Sequence, residues 1–266
     1  VFVIKPRDWS VVQNENGVPE FFHRVSDDFA EMEFLLEPTP EPDDFRMVIL
    51  TDPHLTGRDE DLSNLDRSLL SELRSLDFQW ASVLGDIATN RPDLLKEFKA
   101  VMGSLRRPWY PVVGNHDRNY EGVHDDTWTR IMSPEYYSFD YGPVHVLVLD
   151  DYPNYDPDPL RIDYAFGPDQ MRYIEQDLKL IPPSKPVLLL MHISLNQVKE
   201  CREVCQLLEG RPVVFSVSGH AHNQSCFRLT PEQGWNSEFP HWHIILSAAC
   251  GAWWMGARDE FGIPHA

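Results

Sequence analysis

The chain reads as a layered α/β fold in which two mixed sheets pack face to face with helices outside. Three observations predict it. Strand-sized apolar runs alternate with helically spaced ones in the first half, strands dominate the second half, and short Asp, Asn and His patches stand where apolar runs give way to loops.

Taken in order, Val1 to Leu36 alternates apolar and polar residues about an Asn14-Glu15-Asn16-Gly17 turn. This is the pattern of a β-hairpin or of the end of a β-rich module. Glu37-Pro38-Thr39-Pro40-Glu41-Pro42-Asp43-Asp44 then reads as an extended linker, which divides the chain into an N-terminal extension, 1–44, and a main domain, 45–266. Arg46 to Leu50 is a strand, Leu62 to Leu76 a helix, Ala81 to Leu84 a strand, Arg91 to Leu105 a helix and Tyr110 to Val113 a third strand-like run. Tyr136 to Tyr141 and Val144 to Asp150 form a hairpin around Gly142-Pro143. Gln170 to Leu180 is helical, and Val187 to Met191, Val213 to Ser218, Ser225 to Leu229 and Trp242 to Ser247 are strands. The Pro, Asp and Tyr segment from Asp151 to Pro159 is too polar for the core and reads as a surface loop, with an active-site flap as the second reading.

With 266 residues the chain is long enough to bury a full core. Its apolar stretches are strand-sized, so no membrane span is expected. It begins at Val1 and stops shortly after Gly262-Ile263-Pro264, so it reads as a piece of something longer. Against 42 acidic residues stand 23 basic ones, a net charge of -19 that repels polyanions and disfavours nucleic acid as a substrate. None of the four cysteines forms a CxxC, so a thiolate zinc site is not expected and buried free thiols are.

Five patches carry the chemistry. Thr51-Asp52-Pro53-His54, Gly85-Asp86, Gly114-Asn115-His116-Asp117, Met191-His192 and Gly219-His220-Ala221-His222 each follow a strand-like run. One histidine at a strand end is an ordinary hydrogen-bonded residue. Repeating Asp, Asn and His at the same kind of boundary points to metal ligands, and a two-oxygen carboxylate such as Asp86 can be shared by two cations.

The ordered set DxH, GD, GNHD, H and GHxH resembles the calcineurin-like metallophosphoesterase superfamily over Phe45 to about Ser247. The resemblance implies a four-layer αββα sandwich with the metals at the carboxyl ends of the strands. It implies a first metal held by Asp52, His54, Asp86 and His222 and a second by Asp86, Asn115, His192 and His220, with no ligand position missing. Mn, Fe or Zn are the metals expected, because mixed carboxylate, amide and imidazole sets suit them.

The implied reaction is hydrolysis of a small phosphomonoester or phosphodiester, in which two cations about 3.5–4 Å apart lower the pKa of a bridging water. His116 resembles the family's general acid, with Asp117 beside it as a candidate partner. Thr89 stands where the phosphoprotein phosphatase branch carries a carboxylate that pairs with that imidazole, and where purple acid phosphatases carry a tyrosine. What orients His116 is therefore left open. Alternatives within the superfamily are a phosphoprotein phosphatase or a nuclease, and outside enzymes a non-catalytic metal-binding module.

The stretch Ala248-Ala249-Cys250-Gly251-Ala252-Trp253-Trp254 resembles a bacterial, exported, multi-module group of the superfamily, which makes a periplasmic or secreted location the expectation. Trp253 and Trp254 read first as a packing surface for a neighbouring module and second as an apolar platform for the organic part of a substrate. His241 and His243 share a strand face and read as a cleft lining or a hydrogen-bonded pair. Arg58 and Arg118 are the cations nearest the motifs, and neither is assigned a catalytic role. Oligomeric state is not legible.

Overall fold

The computed structural model describes residues 1–25, 31–118, 126–152, 163–251 and 253–264. Strands β1 (Trp9–Val11) and β2 (Leu36–Pro38) pair antiparallel near the start of the chain. Strands β3 (Met47–Leu50), β4 (Trp80–Leu84) and β5 (Trp109–Val112) form a parallel three-stranded sheet in that order. A six-stranded sheet holds β6 (Tyr137–Tyr141), β7 (Val144–Val148), β8 (Val187–Leu190), β9 (Val214–Ser218), β10 (Ser225–Arg228) and β11 (His241–Ile245) in the order β10-β11-β9-β8-β7-β6. Its inner pairs β7-β8, β8-β9 and β9-β11 are parallel, and its edge pairs β6-β7 and β10-β11 antiparallel.

Side-chain alternation explains why the two sheets stack. Along β4, Trp80 and Leu84 face the other sheet while Ala81 and Val83 face the helices, and along β8 Leu188 and Leu190 face inward while Val187 and Leu189 face outward. Tyr110 and Val112 meet Phe139, Val146 and Val148 in the same central layer, with the Tyr110 and Phe139 rings stacked at 3.7 Å. The outer faces are covered by helices: Leu95–Gly103 brings Phe98 and Met102 onto the small sheet, while Gly167–Lys179 and Cys201–Leu208 bring Ile174, Leu178, Val204 and Leu208 onto the large one. The result is the expected helix, sheet, sheet, helix layering. Parallel strands with cover on both faces become continuous apolar runs, as in Val187–Leu190.

One helix departs from expectation. The stretch read as a single helix from Leu62 to Leu76 is Asp61–Leu65, a π-helical Asp66–Leu70 and Ser71–Leu73. Ser68 Oγ donates to the Asn64 carbonyl at 2.6 Å and Ser71 Oγ to the Arg67 carbonyl at 2.8 Å, so two hydroxyls compete with the backbone for its own acceptors.

The first residues make the hairpin their alternation suggests: Asn14 N–H donates to the Val18 carbonyl at 3.1 Å and Gly17 N–H to the Asn14 carbonyl at 2.9 Å. This hairpin packs on the sandwich, since Val11 and Phe21 enter the layer between the sheets and Trp109 Nε1 donates to the Asn16 carbonyl at 2.8 Å. Of the segment read as a surface loop, 153–162 lies outside the described residues. Its start differs from the expectation, for Asp151 and Tyr152 are buried and Asp151 Oδ2 accepts the Ile193 N–H at 2.6 Å. All four cysteines are free thiols; Cys201, Cys205 and Cys250 are buried, and Cys226 is exposed, contrary to expectation. Among the described residues no helix is long and apolar enough to cross a membrane.

A polar cluster closes one end of the large sheet. His145, at the start of β7, sets Nδ1 against Asp140 Oδ1 and Nε2 against Asp177 Oδ2, both carboxylates accepting, at 2.7 Å each. Lys185 Nζ donates to Asp140 Oδ2 at 2.5 Å, and Ser138 Oγ to Asp177 Oδ1 at 2.8 Å.

Candidate metal centre

All five motifs meet at the carboxyl ends of the parallel strands. Asp52 and His54 follow β3, Asp86 follows β4, Asn115, His116 and Asp117 form a 3₁₀ turn after β5, His192 follows β8, and His220 and His222 follow β9. Their loops interlock. Asp52 N–H donates to the Gly85 carbonyl at 3.1 Å, His54 N–H to the Asp86 carbonyl at 2.9 Å, and Gly219 N–H to the His192 carbonyl at 2.9 Å. Glycine is required where the loops touch: a Cβ on Gly85, whose φ is +81°, would lie 2.6 Å from the Gly114 backbone, and one on Gly219 would lie 1.8 Å from Thr51 Oγ1.

Five of the predicted ligands have left-handed backbone: Asp52 (φ 53), His54 (φ 46), Asp86 (φ 49), His220 (φ 65) and His222 (φ 51). For side chains with a Cβ this conformation costs about 1–3 kcal/mol each and persists only where the surroundings impose it. Sharp turns after each strand are what aim these side chains at one another.

Two groups result. Ligand atoms of Asp52, His54 and His222 lie within 4.8 Å of one another, as do those of Asp86, His192 and His220. In the first group, His54 Nε2 and His222 Nε2 face each other at 2.9 Å, and Asp52 Oδ1 is 3.2 Å from His222 Nε2 and 3.5 Å from His54 Nε2. In the second, His192 Nε2 is 3.2 Å from Asp86 Oδ2 and 3.1 Å from Asn115 Oδ1. Asp86 Oδ2 is also 3.6 Å from His54 Nε2, which puts that oxygen between the groups.

Outer contacts fix which atoms face inward. His192 Nδ1 donates to the Leu84 carbonyl at 2.6 Å and His54 Nδ1 meets Thr89 Oγ1 at 3.0 Å, leaving each Nε2 for the site. Asp52 Oδ2 accepts Thr51 Oγ1 at 2.5 Å and the His220 N–H at 3.0 Å, while Asp86 Oδ1 accepts the His116 N–H at 2.8 Å. Asp52 Oδ1, however, is buried with no hydrogen-bond partner. A buried carboxylate oxygen without a donor is costly, and converging imidazole nitrogens beside it form a donor set that suits cations. The residues present therefore fit a metal pair.

Electrostatics in the protein alone shows what the cations would replace. Burial opposes charge on Asp52, but His222, His54, His192 and Thr51 outweigh it and hold its pKa below the usual carboxylate range. Burial likewise opposes charge on both Asp86 and His192, yet each stabilises the other, so the Asp86 pKa falls and that of His192 rises well above normal. Burial, with His192 as a second cause, lowers the His220 pKa to about 4.

His116 stands beside the first group, its ring 5.3 Å from that of His54. Its Nδ1 meets Asn90 Oδ1 at 2.8 Å, so Asn90, a residue that sequence reasoning passed over one position after Thr89, is placed to orient it. Burial is the main cause of a lowered His116 pKa. Asp117 Oδ1 accepts the Ala88 N–H at 3.0 Å and its Oδ2 the Gly114 N–H at 2.9 Å, so it braces the loop that carries Asn115 and His116. Tyr164, whose Oη is 3.2 Å from His220 Nε2, had no signal in the sequence.

The other candidates do not belong to either ligand group. His241 and His243 share a buried face of β11 and contact Ser216 and Ser218 on β9, the hydrogen-bonded alternative of the two weighed. Arg118 pairs with Asp150 at 2.5 Å and Glu135 at 3.2 Å, and Arg58 with Asp61 at 3.2 Å.

With the geometry in place, comparison with known proteins is informative. A family profile described as calcineurin-like phosphoesterase matches residues 45–224. Among curated proteins no sequence match was found. In structure the chain is similar to a purple acid phosphatase from yellow lupin (Lupinus luteus) seeds, with a TM-score of 0.60 and 16% identity over 82% of this chain and 47% of that one. It is also similar to a dimetal phosphatase from Danio rerio, with a TM-score of 0.57 and 15% identity over 76% of this chain and 87% of that one. The chain thus spans about half the length of the lupin enzyme, and at these identities the likeness is one of fold.

Proposed function

This chain belongs to the calcineurin-like phosphoesterase family, and from that premise we propose that it hydrolyses small phosphoesters at a two-metal centre. Asp52, His54, Asp86 and His222 would hold one cation, and Asp86, Asn115, His192 and His220 the other. The observation that carries the reading is Asp86 Oδ2 lying between the two groups while Asp52 Oδ1 is left buried without a partner. When bound, such cations neutralise phosphate charge and lower the pKa of water, and Mn, Fe or Zn suit this donor set.

The chain's own residues supply the rest. The strained turns and interlocked loops hold the carboxylates and imidazoles in place before substrate arrives, which removes reorganisation from the reaction. His116, with Nδ1 on Asn90, would present Nε2 to the leaving oxygen and protonate it. In the metal-free protein burial is the main cause that lowers its pKa, so the proton on Nε2 must be supplied with the bound substrate or its phosphate.

Two assays test this. Metal-depleted protein is titrated with Mn, Fe or Zn against nitrophenyl phosphate and bis-nitrophenyl phosphate; no turnover with any metal overturns the hydrolase reading. Replacing His116→Asn should slow alkyl esters by about 10²–10⁴-fold and activated nitrophenyl esters far less. Equal losses on both would remove His116 from the role of acid.

A further inference from the structure

Resting on the hydrolase reading, we infer that Trp253 selects the substrate: its indole is the wall that takes a planar aromatic or heteroaromatic group of the phosphoester.

The two adjacent tryptophans divide their tasks. Trp254 is 4% exposed, donates Nε1 to the Pro53 carbonyl at 2.9 Å and belongs to the core under the small sheet. Trp253 is 37% exposed. Its ring centroid is 3.9 Å from that of His54 and 5.2 Å from that of His222, so the indole lies against the imidazoles of the first metal group.

Trp253 is held there against its own preference. Its φ is +56°, a left-handed conformation that bulky residues rarely adopt. The neighbouring chain enforces it: Ala249 N–H donates to the Thr51 carbonyl at 2.8 Å, Cys250 N–H to the Asp52 carbonyl at 3.2 Å and Trp254 N–H to the Cys250 carbonyl at 2.9 Å. Arg58 Nη2 donates to the Trp253 carbonyl at 2.6 Å. Trp254 shares the left-handed backbone, φ +57°, yet is buried, so what sets Trp253 apart is its partial exposure beside the candidate reaction centre.

Both this indole and the His116 ring pack near His54, 3.9 Å and 5.3 Å away by centroid. On this proposal an ester whose leaving oxygen reaches His116 turns its organic group toward the indole. A flat π system gains stacking there that an alkyl chain does not. Trp253 lies beyond residues 45–224, the part that matches the family profile.

The test compares phenyl phosphate and adenosine 5′-monophosphate with glycerol phosphate, using metal-loaded wild type, Trp253→Ala and Trp253→Phe, with metal content measured for each. In wild type kcat/KM should favour an aromatic ester over glycerol phosphate by about tenfold, the size of one stacked ring. Trp253→Ala should erase that ratio and Trp253→Phe keep most of it. Preference for phenyl phosphate would put the ring next to the leaving oxygen, and preference for the nucleotide would put it a sugar's length away. An unchanged ratio in Trp253→Ala overturns the proposal. Binding to wild type gives a second readout that needs neither turnover nor a folded variant. Phenylphosphonate should quench tryptophan fluorescence and bind about tenfold tighter than methylphosphonate, and equal affinities overturn the proposal. Loss of all hydrolysis with retained phenylphosphonate preference would sink the hydrolase reading instead.

Discussion

Two buried clusters of aspartate and histidine occupy opposite ends of this sandwich. Around His145 every ring nitrogen and carboxylate contact is answered: Asp140 and Asp177 at 2.7 Å, with Lys185 and Ser138 completing the carboxylates. Around Asp86 the same residue types leave two imidazole nitrogens facing each other at 2.9 Å, a buried Asp52 oxygen with no donor, and left-handed backbone at Asp52, His54, Asp86, His220 and His222. The contrast teaches that neither burial nor composition marks a ligand set. What marks it is a polar cluster that is unsatisfied and strained at once.

The sharpest way to break this contrast is at Asp86. Asp86→Asn should lose metal and lower kcat on the order of a thousandfold, the several kcal/mol a Lewis-acid pair supplies, while the metal-free protein melts no lower than wild type. Full metal content and activity in that variant would erase the distinction between the clusters. The converse belongs to the other end. His145→Leu leaves the buried Asp177 carboxylate without its imidazole and should cost about 3–5 kcal/mol in urea unfolding, with metal stoichiometry unchanged.

Smaller effects sharpen the comparison. Asn90→Ala removes the contact at His116 Nδ1 and should lower kcat on alkyl esters by up to about a hundredfold, with metal content intact; a loss of metal would instead make Asn90 part of the ligand shell. Protonation should also separate the ends. Since the metal-free His192 pKa is raised well above normal, largely by Asp86 against the opposing effect of burial, metal binding near neutral pH must displace its proton. Metal affinity should therefore rise with pH, and calorimetry in buffers of different ionisation heat should detect the released proton.

At the scaffold end, burial opposes charge on His145, but Asp140 and Asp177 outweigh it and raise its pKa. Its contribution to stability is full below the unfolded pKa of about 6.5 and fades as pH rises through the folded value. Asp140 behaves in reverse: burial opposes its charge, but His145 and Lys185 lower its pKa, so its contribution fades as pH falls through the folded value. Unfolding midpoints measured across pH for wild type and His145→Leu should differ by this dependence.

Much of this was legible in the primary order because both signals are local. Strand-sized apolar runs such as Trp80–Leu84 and Val187–Leu190 mark the buried strands, and a strand that ends in Asp or His names the position of a ligand. Contacts that depend on meeting a distant loop were not legible. Thr89 on His54, Asn90 on His116 and Tyr164 on His220 carry no spacing rule. The bracing of the loop by Asp117 depends on the Ala88 and Gly114 amides, whose orientation only the folded turn sets. The π-helical Asp66–Leu70 was hidden for another reason: its apolar spacing is helical either way, and serine hydroxyls decide the winding.

The bonds from Ala249, Cys250 and Trp254 to the loop of Thr51, Asp52 and Pro53 also set an order of events during synthesis. Every proposed ligand leaves the ribosome before the segment that fastens the Asp52 turn. A nascent chain thus holds all its proposed ligands while the Asp52 turn is still unclasped.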